Sequence, residues 1–408
     1  MSASLSAEVA IVGGGPAGAA LAIELATCGH EVVLFERRAR PQWRACGVYS
    51  SALARRRLAT LGVPDTELNA LTRPIGAMVL QQLGGEAVRL EYPAPYHSAG
   101  FDRPGLDGTL LAAARAAGAQ VREGAIVRAV DLLASGPTRV RRTRLLASEG
   151  GESNWWDAGL LVGADGPRSL VARSAGVARD GRFRRAGVTL HHADPAAAAP
   201  GQPMDAHFYF GNGWYCGVAP VPGGRVNIGI VLTGAQLRSE LRRPGGVAGV
   251  AARTIAALPA AEWRWQSAPP VDEPRVQLPL AHRTSCASGP GFMLVGDAAG
   301  FIDPLSGEGL HRALLSASLA AAAIGAWSRG DRSALSDYDH HLRARFRNKD
   351  VVSWVLQAFV TQPALLGHAL RRLNLRPRES RTFTLALADL VPASRILDPR
   401  FLGRLLLT

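Results

Sequence analysis

Apolar residues fall in two textures along the chain. Continuous runs mark its beginning and a stretch near residue 292, and alternation with aromatics and prolines fills much of the middle. Val9-Ala-Ile-Val12 is a continuous run, which predicts a parallel strand covered on both faces. A helix follows over 19–28 with Leu21, Leu25 and Cys28 near one face, and Gly29 ends it in a left-handed cap. A second strand is expected over 31–36. A helix over 51–61 stops at Gly62, and 72–92 alternates like two strands joined at Gly84-Gly85. The pattern then predicts a helix over 110–117, strands over 121–130 and 140–147, a strand over 157–166 and a helix over 169–175.

From 179 to 270 the alternation predicts antiparallel strands, with 207–220 and 225–232 joined at Pro222-Gly-Gly224 and a helix over 245–258. Phe292-Met-Leu-Val295 is a second buried strand. Helices are expected over 313–327, 334–347 and 351–373, before an apolar, arginine-rich tail. Strand–turn–helix units flanking an alternating insert indicate an α/β fold with an added α+β sheet.

Composition adjusts this picture in a few places. A chain of 408 residues, 47% hydrophobic, buries a large core and is expected to form more than one domain. The formal charge is +13, but the only lysine is Lys349, and the arginines are scattered without interleaved aromatics. That argues against nucleic acid and leaves attraction to an anionic cofactor, substrate or membrane surface. A Walker loop or a Schiff-base enzyme would have to rely on Lys349, and no such motif surrounds it. Cys28, Cys46, Cys216 and Cys286 stand apart, as in a reduced protein without structural disulfides, and no metal-ligand spacing occurs. Met1 to Ala7 leads directly into a strand rather than a signal peptide, and 313–327 is short for a membrane span. A cytoplasmic location, with peripheral membrane contact left open, is the corresponding expectation.

The chemistry lies in two turns. Gly13-Gly-Gly-Pro-Ala-Gly18 sits between strand and helix, the setting a G-x-G-x-x-G match requires. Gly13 permits the tight turn, Gly15 lets a pyrophosphate approach the backbone, and Gly18 lets helix and strand pack closely. Glu36 ends the next strand, where an acidic side chain binds adenosine ribose hydroxyls. Far along the chain, Val295-Gly-Asp-Ala-Ala-Gly-Phe-Ile-Asp-Pro-Leu-Ser-Gly-Glu-Gly-Leu310 repeats the plan. Asp297 at a strand end is placed to accept hydrogen bonds from a ribityl chain. A helix starting near Gly309 offers free N–H groups to an electron-rich ring edge. The two turns together describe an FAD site.

Taken with Gly163-Ala-Asp-Gly-Pro-Arg-Ser169, these motifs occur in the order shared by flavoproteins of the p-hydroxybenzoate hydroxylase fold. The third motif particularly resembles the geranylgeranyl reductase family, in which Gly, here Gly300, follows Gly-Asp-Ala-Ala. Cys46-Gly47 resembles that family's Cys-Gly loop, and Arg103 with Leu106-Asp107 its arginine and helix opening. The resemblance spans residues 8–330. It implies a discontinuous FAD-binding domain of Rossmann type over 1–71, 94–178 and 271–335. A substrate-binding sheet would comprise 72–93 and 179–270, with a helical segment over 336–408. It also implies a cofactor-binding set of Gly13, Gly15, Pro16, Ala17, Gly18, Glu36, Arg37, Arg44, Cys46, Gly47, Arg103, Val127, Asp165, Gly166, Gly296, Asp297, Pro304, Gly307, Glu308, Gly309 and Leu310. Arg168 and Ser169 belong to the middle motif, either near FAD or as a plain helix start.

Two reactions suit this frame. Reduced flavin passes hydride to a double bond of a lipophilic or polycyclic molecule, or it activates oxygen to hydroxylate an aromatic or polyketide-like one. NAD(P)H or another reductant, including a reductase partner, would supply electrons. A flavin-binding redox sensor without turnover is a third reading. Cys46, Tyr49 and Tyr215 are the substrate-side candidates for catalysis, and His311 a further neighbour of the ring. The reductases carry P-x-x-Y-x-W-x-F-P on a pocket strand, whereas this chain keeps Tyr215 but has Gly217 and Ala219 at the other aromatic positions. The three share one strand face, so a pocket wider than that of a prenyl reductase is expected unless other residues fill it. Trp263-Arg-Trp265 is similar to a halogenase motif, but without that class's lysine both tryptophans read as packing. His191-His192 and His340-His341 lack a ligand set.

Overall fold

The computed structural model describes residues 5–45, 48–132, 143–181, 184–198, 202–259 and 264–406. Its first sheet runs in the order Ser288–Gly289, Phe292–Leu294, Glu152–Gly163, Leu5–Val12, Val32–Glu36, Gln120–Glu123. Leu5–Val12 lies parallel to strands on both sides, and Val9, Ala10 and Ile11 are fully covered, as the continuous apolar run requires. The strand expected over 121–130 is instead two. Gly124 adopts φ +79, a conformation open to glycine, and turns the chain there. Gln120–Glu123 therefore pairs parallel to Val32–Glu36, and Ile126–Leu132 pairs antiparallel to Thr143–Glu149.

Among the described residues the second sheet has nine strands. Arg185–Ala193, Arg225–Thr233, Tyr215–Val221, Met204–Phe210, Thr72–Gln82 and Ser98–Phe101 are successive neighbours. The Gly223-Gly224 turn has φ +81 and +65, the twist a tight hairpin needs. Met204–Phe210 runs parallel to Thr72–Gln82, where two stretches distant in sequence meet. Alternation splits Tyr215–Val221 between two cores. Tyr215 and Ala219 join the C-terminal helices, while Cys216 and Val218 join Trp265 on the opposite face. Trp265 is fully buried there, and Trp263 lies outside the described residues.

The helix Gly309–Ser328 starts at Gly309, where the long motif places it, and includes the apolar stretch 313–327. By length and composition it is long and apolar enough to cross a membrane, but half of its apolar stretch is buried, largely in the core shared with Pro16–Thr27. Ala334–Thr361 is one continuous helix where the sequence reading breaks it after 347. The true break is at Gln362, because Pro363 lacks an N–H and disfavours a helical residue before it. A helix over Gly234–Leu241 was not anticipated, although Thr233 and Gln236 close a reciprocal capping box at its start.

Candidate active site

The glycine turn is fixed by contacts that leave no room for side chains. A Cβ on Gly13 would lie 2.4 Å from the Ala164 carbonyl oxygen, and one on Gly18 would lie 2.0 Å from the Gly13 carbonyl oxygen. Gly15 differs. A Cβ there would meet only Arg44 Nη1, at 3.8 Å, so its backbone borders open space beside a guanidinium. Pro16 opens the helix, where its missing N–H costs nothing, and Ala17 is buried behind it. Glu36 Oε2 accepts from the Gly14 N–H at 2.8 Å and Oε1 from the Arg38 N–H at 3.0 Å. Arg44 reaches Glu36 at 3.5 Å, whereas Arg37 is exposed. Val127 follows Ala125, whose N–H donates to the Glu36 carbonyl, and so borders the same end of the strand.

The middle motif sits against this turn through Ala164 and Asp165. Asp165 Oδ2 accepts from the Leu170 N–H at 2.6 Å, and Ser169 Oγ accepts from the Ala172 N–H at 3.0 Å. Both therefore cap Leu170–Ser174, and burial holds the Asp165 pKa above its usual range. Gly166 has φ +80. Arg168 turns away to the Leu278 carbonyl, so for Arg168 and Ser169 the helix-start reading fits the observed contacts.

The long motif joins the glycine turn directly, since a Cβ on Gly296 would lie 2.8 Å from Ala17 Cβ. Gly300 has φ +138, which explains glycine there in backbone terms. Asp297 follows the strand end, with its pKa raised by burial and opposed by His282, Arg312 and Arg103. Arg103 opens the helix Arg103–Ala116 and pairs with Asp107 at 3.2 Å. Gly307 has φ +66, and a Cβ on it would fall 2.2 Å from the Tyr49 ring. Pro304 and Leu305 form a short turn before Glu308, Gly309 and Leu310 start the core helix. An open backbone cradle beside Arg44, a strand-end carboxylate and a free helix start are the donor set that FAD requires.

Tyr215 and Tyr49 come to this motif by different routes. Tyr215, 2% exposed, donates to Asp303 Oδ1 at 2.5 Å, and the same oxygen accepts the Leu305 N–H at 2.9 Å. Burial raises both pKa values, with Arg185 drawing each back. Tyr49 lies against Gly307 while its hydroxyl bonds to Tyr92 and donates to Ser98 at 2.9 Å. Burial pushes Tyr49 well above the ordinary tyrosine range and Tyr92 to about 12. Cys46 and Gly47 fall outside the described residues.

Among the described residues, the space left at Gly217 is filled. A Cβ on Gly217 would meet Phe208 at 3.0 Å, because Phe208 on the neighbouring strand leans over the missing side chain. Free space lies instead between the sheet and the C-terminal helices. It is a cavity of about 70 Å³ whose lining includes Leu80, Phe210, Leu305, Phe359, Phe383 and Phe401. Leu305 brings it to the long motif. Asp303, Phe208, Lys349 and Asp389 are site-forming residues that the sequence reading missed. Asp303 was visible inside the motif, and Lys349 had drawn notice only as the single lysine. His311 faces Asp389 at 3.2 Å.

The FAD binding domain family matches residues 6–353. Menaquinone reductase of Mycolicibacterium smegmatis is 31% identical over 338 residues, covering 77% of this chain and 75% of the relative. Tryptophan 2-halogenase of Chondromyces crocatus is 28% identical over 331 residues, covering 78% of this chain and 61% of the relative. A solved geranylgeranyl bacteriochlorophyll reductase-like protein of Thermoplasma acidophilum superposes with a TM-score of 0.76 at 20% identity, covering 97% and 99% of the two chains. The resemblance to geranylgeranyl reductases holds among further relatives of that name. The chain belongs to the FAD binding domain family and is an FAD-dependent oxidoreductase.

Proposed function

We propose that the protein is a reductase that saturates a double bond in a molecule bearing an isoprenoid or similar apolar chain. The observation carrying this reading is the cavity, lined by aliphatic and aromatic side chains and reaching the long motif at Leu305. Each buried chain carbon placed there gains about 0.8 kcal/mol, with no polar lining group left unpaired. The relatives named as reductases of menaquinone and of geranylgeranyl compounds support the same class. Bound FAD supplies the two-electron chemistry. Around it, Gly15 with Arg44 and Arg103 would hold the phosphates, Glu36 the adenosine ribose and Asp297 the ribityl chain. The first N–H groups of Gly309–Ser328 would face the electron-rich ring edge. Tyr215 and Tyr49 keep their protons at neutral pH, and Tyr215 shares its proton with a carboxylate of raised pKa. NAD(P)H is the electron source we assign.

An opened pocket strand would favour hydroxylation of a bulky aromatic molecule, and Phe208 stands over the opening at Gly217. The likeness to a halogenase meets a similar obstacle, since Lys349 is engaged with Glu308 and Asp389 and is absent from the cavity lining. The test is anaerobic turnover with dithionite-reduced protein and a prenylated quinone or polyprenyl lipid, read by mass spectrometry. A gain of two hydrogens is expected. Oxygen-18 in the product of a parallel aerobic reaction, without saturation under nitrogen, would reverse the assignment.

A further inference from the structure

Glu308 immediately precedes the first turn of Gly309–Ser328, yet its side chain makes no hydrogen bond to that helix's free N–H groups. An acidic side chain in this place is drawn to those groups by hydrogen bonding and by the helix dipole. Here it is buried and ion-paired with Lys349 from the middle of Ala334–Thr361. Lys349 is 8% exposed, pairs with Asp389 at 2.7 Å and donates to the Ala386 carbonyl at 2.9 Å. Asp389 is the one described non-glycine residue with positive φ, at +63. Its Oδ2 lies 3.2 Å from His311 Nδ1 and accepts from the Ser51 hydroxyl at 3.4 Å. The cation therefore bridges the C-terminal segment to the residue flanking the helix start.

We propose that Lys349 is a positioning residue for the flavin. By drawing the Glu308 carboxylate into the core, it leaves the first N–H groups of Gly309–Ser328 free for the ring edge. Through Asp389, it makes that arrangement depend on the seating of the C-terminal segment. The inference rests on the flavin reading of this turn. A buried ion triad is a poor source of stability compared with apolar side chains of the same volume, so stability alone does not account for one here. Without the cation, a carboxylate beside the helix start has free N–H groups within reach and competes with the cofactor for them.

The experiment compares FAD dissociation constants and the midpoint potential of bound flavin in wild type, Lys349→Met, Lys349→Arg, Glu308→Ala and the Lys349→Met/Glu308→Ala double variant. In Lys349→Met, FAD binding should weaken on the order of tenfold and the potential should fall, because one positive charge is lost from beside the ring while both carboxylates remain. Lys349→Arg restores the charge and should recover both quantities. The double variant should regain FAD affinity, since the competing carboxylate is gone. Unchanged affinity and potential in the folded fraction of Lys349→Met would overturn the proposal, as would a double variant as weak as the single one. Should Lys349→Met not fold, Glu308→Ala decides alone. Affinity at or above wild type with a raised potential supports the role, and weakened binding defeats it. A wild-type chain that takes up no FAD would instead remove the site reading beneath the inference.

Discussion

The turn at 13–18 and the turn at 303–309 both belong to the proposed FAD site, but they are held in place differently. In the first, the nearest neighbours of Gly13 and Gly18 are backbone atoms of the turn itself and of the adjacent strand end. In the second, side chains from separate elements converge: Tyr215 on Asp303, Tyr49 on Gly307, and Lys349 on Glu308. The first turn behaves as a rigid template set by local sterics. The second is held by three separate elements, so its geometry reports on the nine-stranded sheet and the C-terminal helices. That difference suits the proposed assignment, in which the first turn would cradle the phosphates and the second would face the reacting ring.

The largest effect is therefore expected at the first turn. Gly18→Val puts carbon into a space where the Gly13 carbonyl oxygen already lies 2.0 Å from an added Cβ. Overpacking costs about 1–3 kcal/mol at ordinary core positions, and a backbone atom cannot rotate away as a side chain does. The variant should lose flavin absorbance entirely and unfold at a lower temperature. Gly307→Ala should act more mildly, because the atom it meets belongs to the Tyr49 ring. We expect weaker FAD binding with the fold retained, and partial recovery in Gly307→Ala/Tyr49→Ala. Compared with Tyr49→Ala alone, the deficit that remains in the double variant measures the cost of φ +66, about 1 kcal/mol. Complete recovery would mean that the positive φ contributes nothing.

The same contrast explains what was legible in the sequence. The first turn could be read because its determinants are contiguous: a glycine spacing, a strand on each side and Glu36 at a fixed distance. The face shared by Tyr215 and Ala219 was likewise a matter of period two. Gly217 misled because its environment is set by Phe208 across the ladder, and a single strand does not disclose its partner's side chains. Asp303 and Tyr215 are 88 residues apart, a pairing no local pattern announces. Lys349 was conspicuous by composition, but its place between Glu308 and Asp389 depends on how three helical segments pack. Two misses were readable after all. Thr233-x-x-Gln236 signalled a helix start, and Pro363 marked the real end of Ala334–Thr361.

Two aspartates, Asp303 buried and Asp389 half-buried, sharpen the comparison through opposite responses to pH. Burial raises the Asp389 pKa, but His311 and Lys349 outweigh it and hold the carboxyl at about 2. Its folded value is thus below the unfolded one. It contributes stability above pH 4 that is lost as pH falls toward 2, about 2 kcal/mol in all. Asp389→Asn should lose that increment at neutral pH and converge on wild type in acid. Asp303 has the reverse sign. Burial dominates there, and Tyr215, the Leu305 N–H and Arg185 only partly offset it, so the folded value lies above the ordinary 3.8. Its contribution is complete below the unfolded pKa and is lost as pH rises through the folded one, by about 1.4 kcal/mol for each tenfold difference in proton affinity between the folded and unfolded chain. Asp303→Asn keeps an acceptor for Tyr215 and Leu305 but carries no charge. Its stability, followed by urea unfolding across pH 4 to 7, should fall less steeply than wild type. The slope should not vanish, since burial also raises Asp165, Asp297 and Glu24. Parallel curves for Asp303→Asn and wild type would show that Asp303 is solvated more fully than its contacts indicate, and that the second turn is looser than the first in its charge as well as in its assembly.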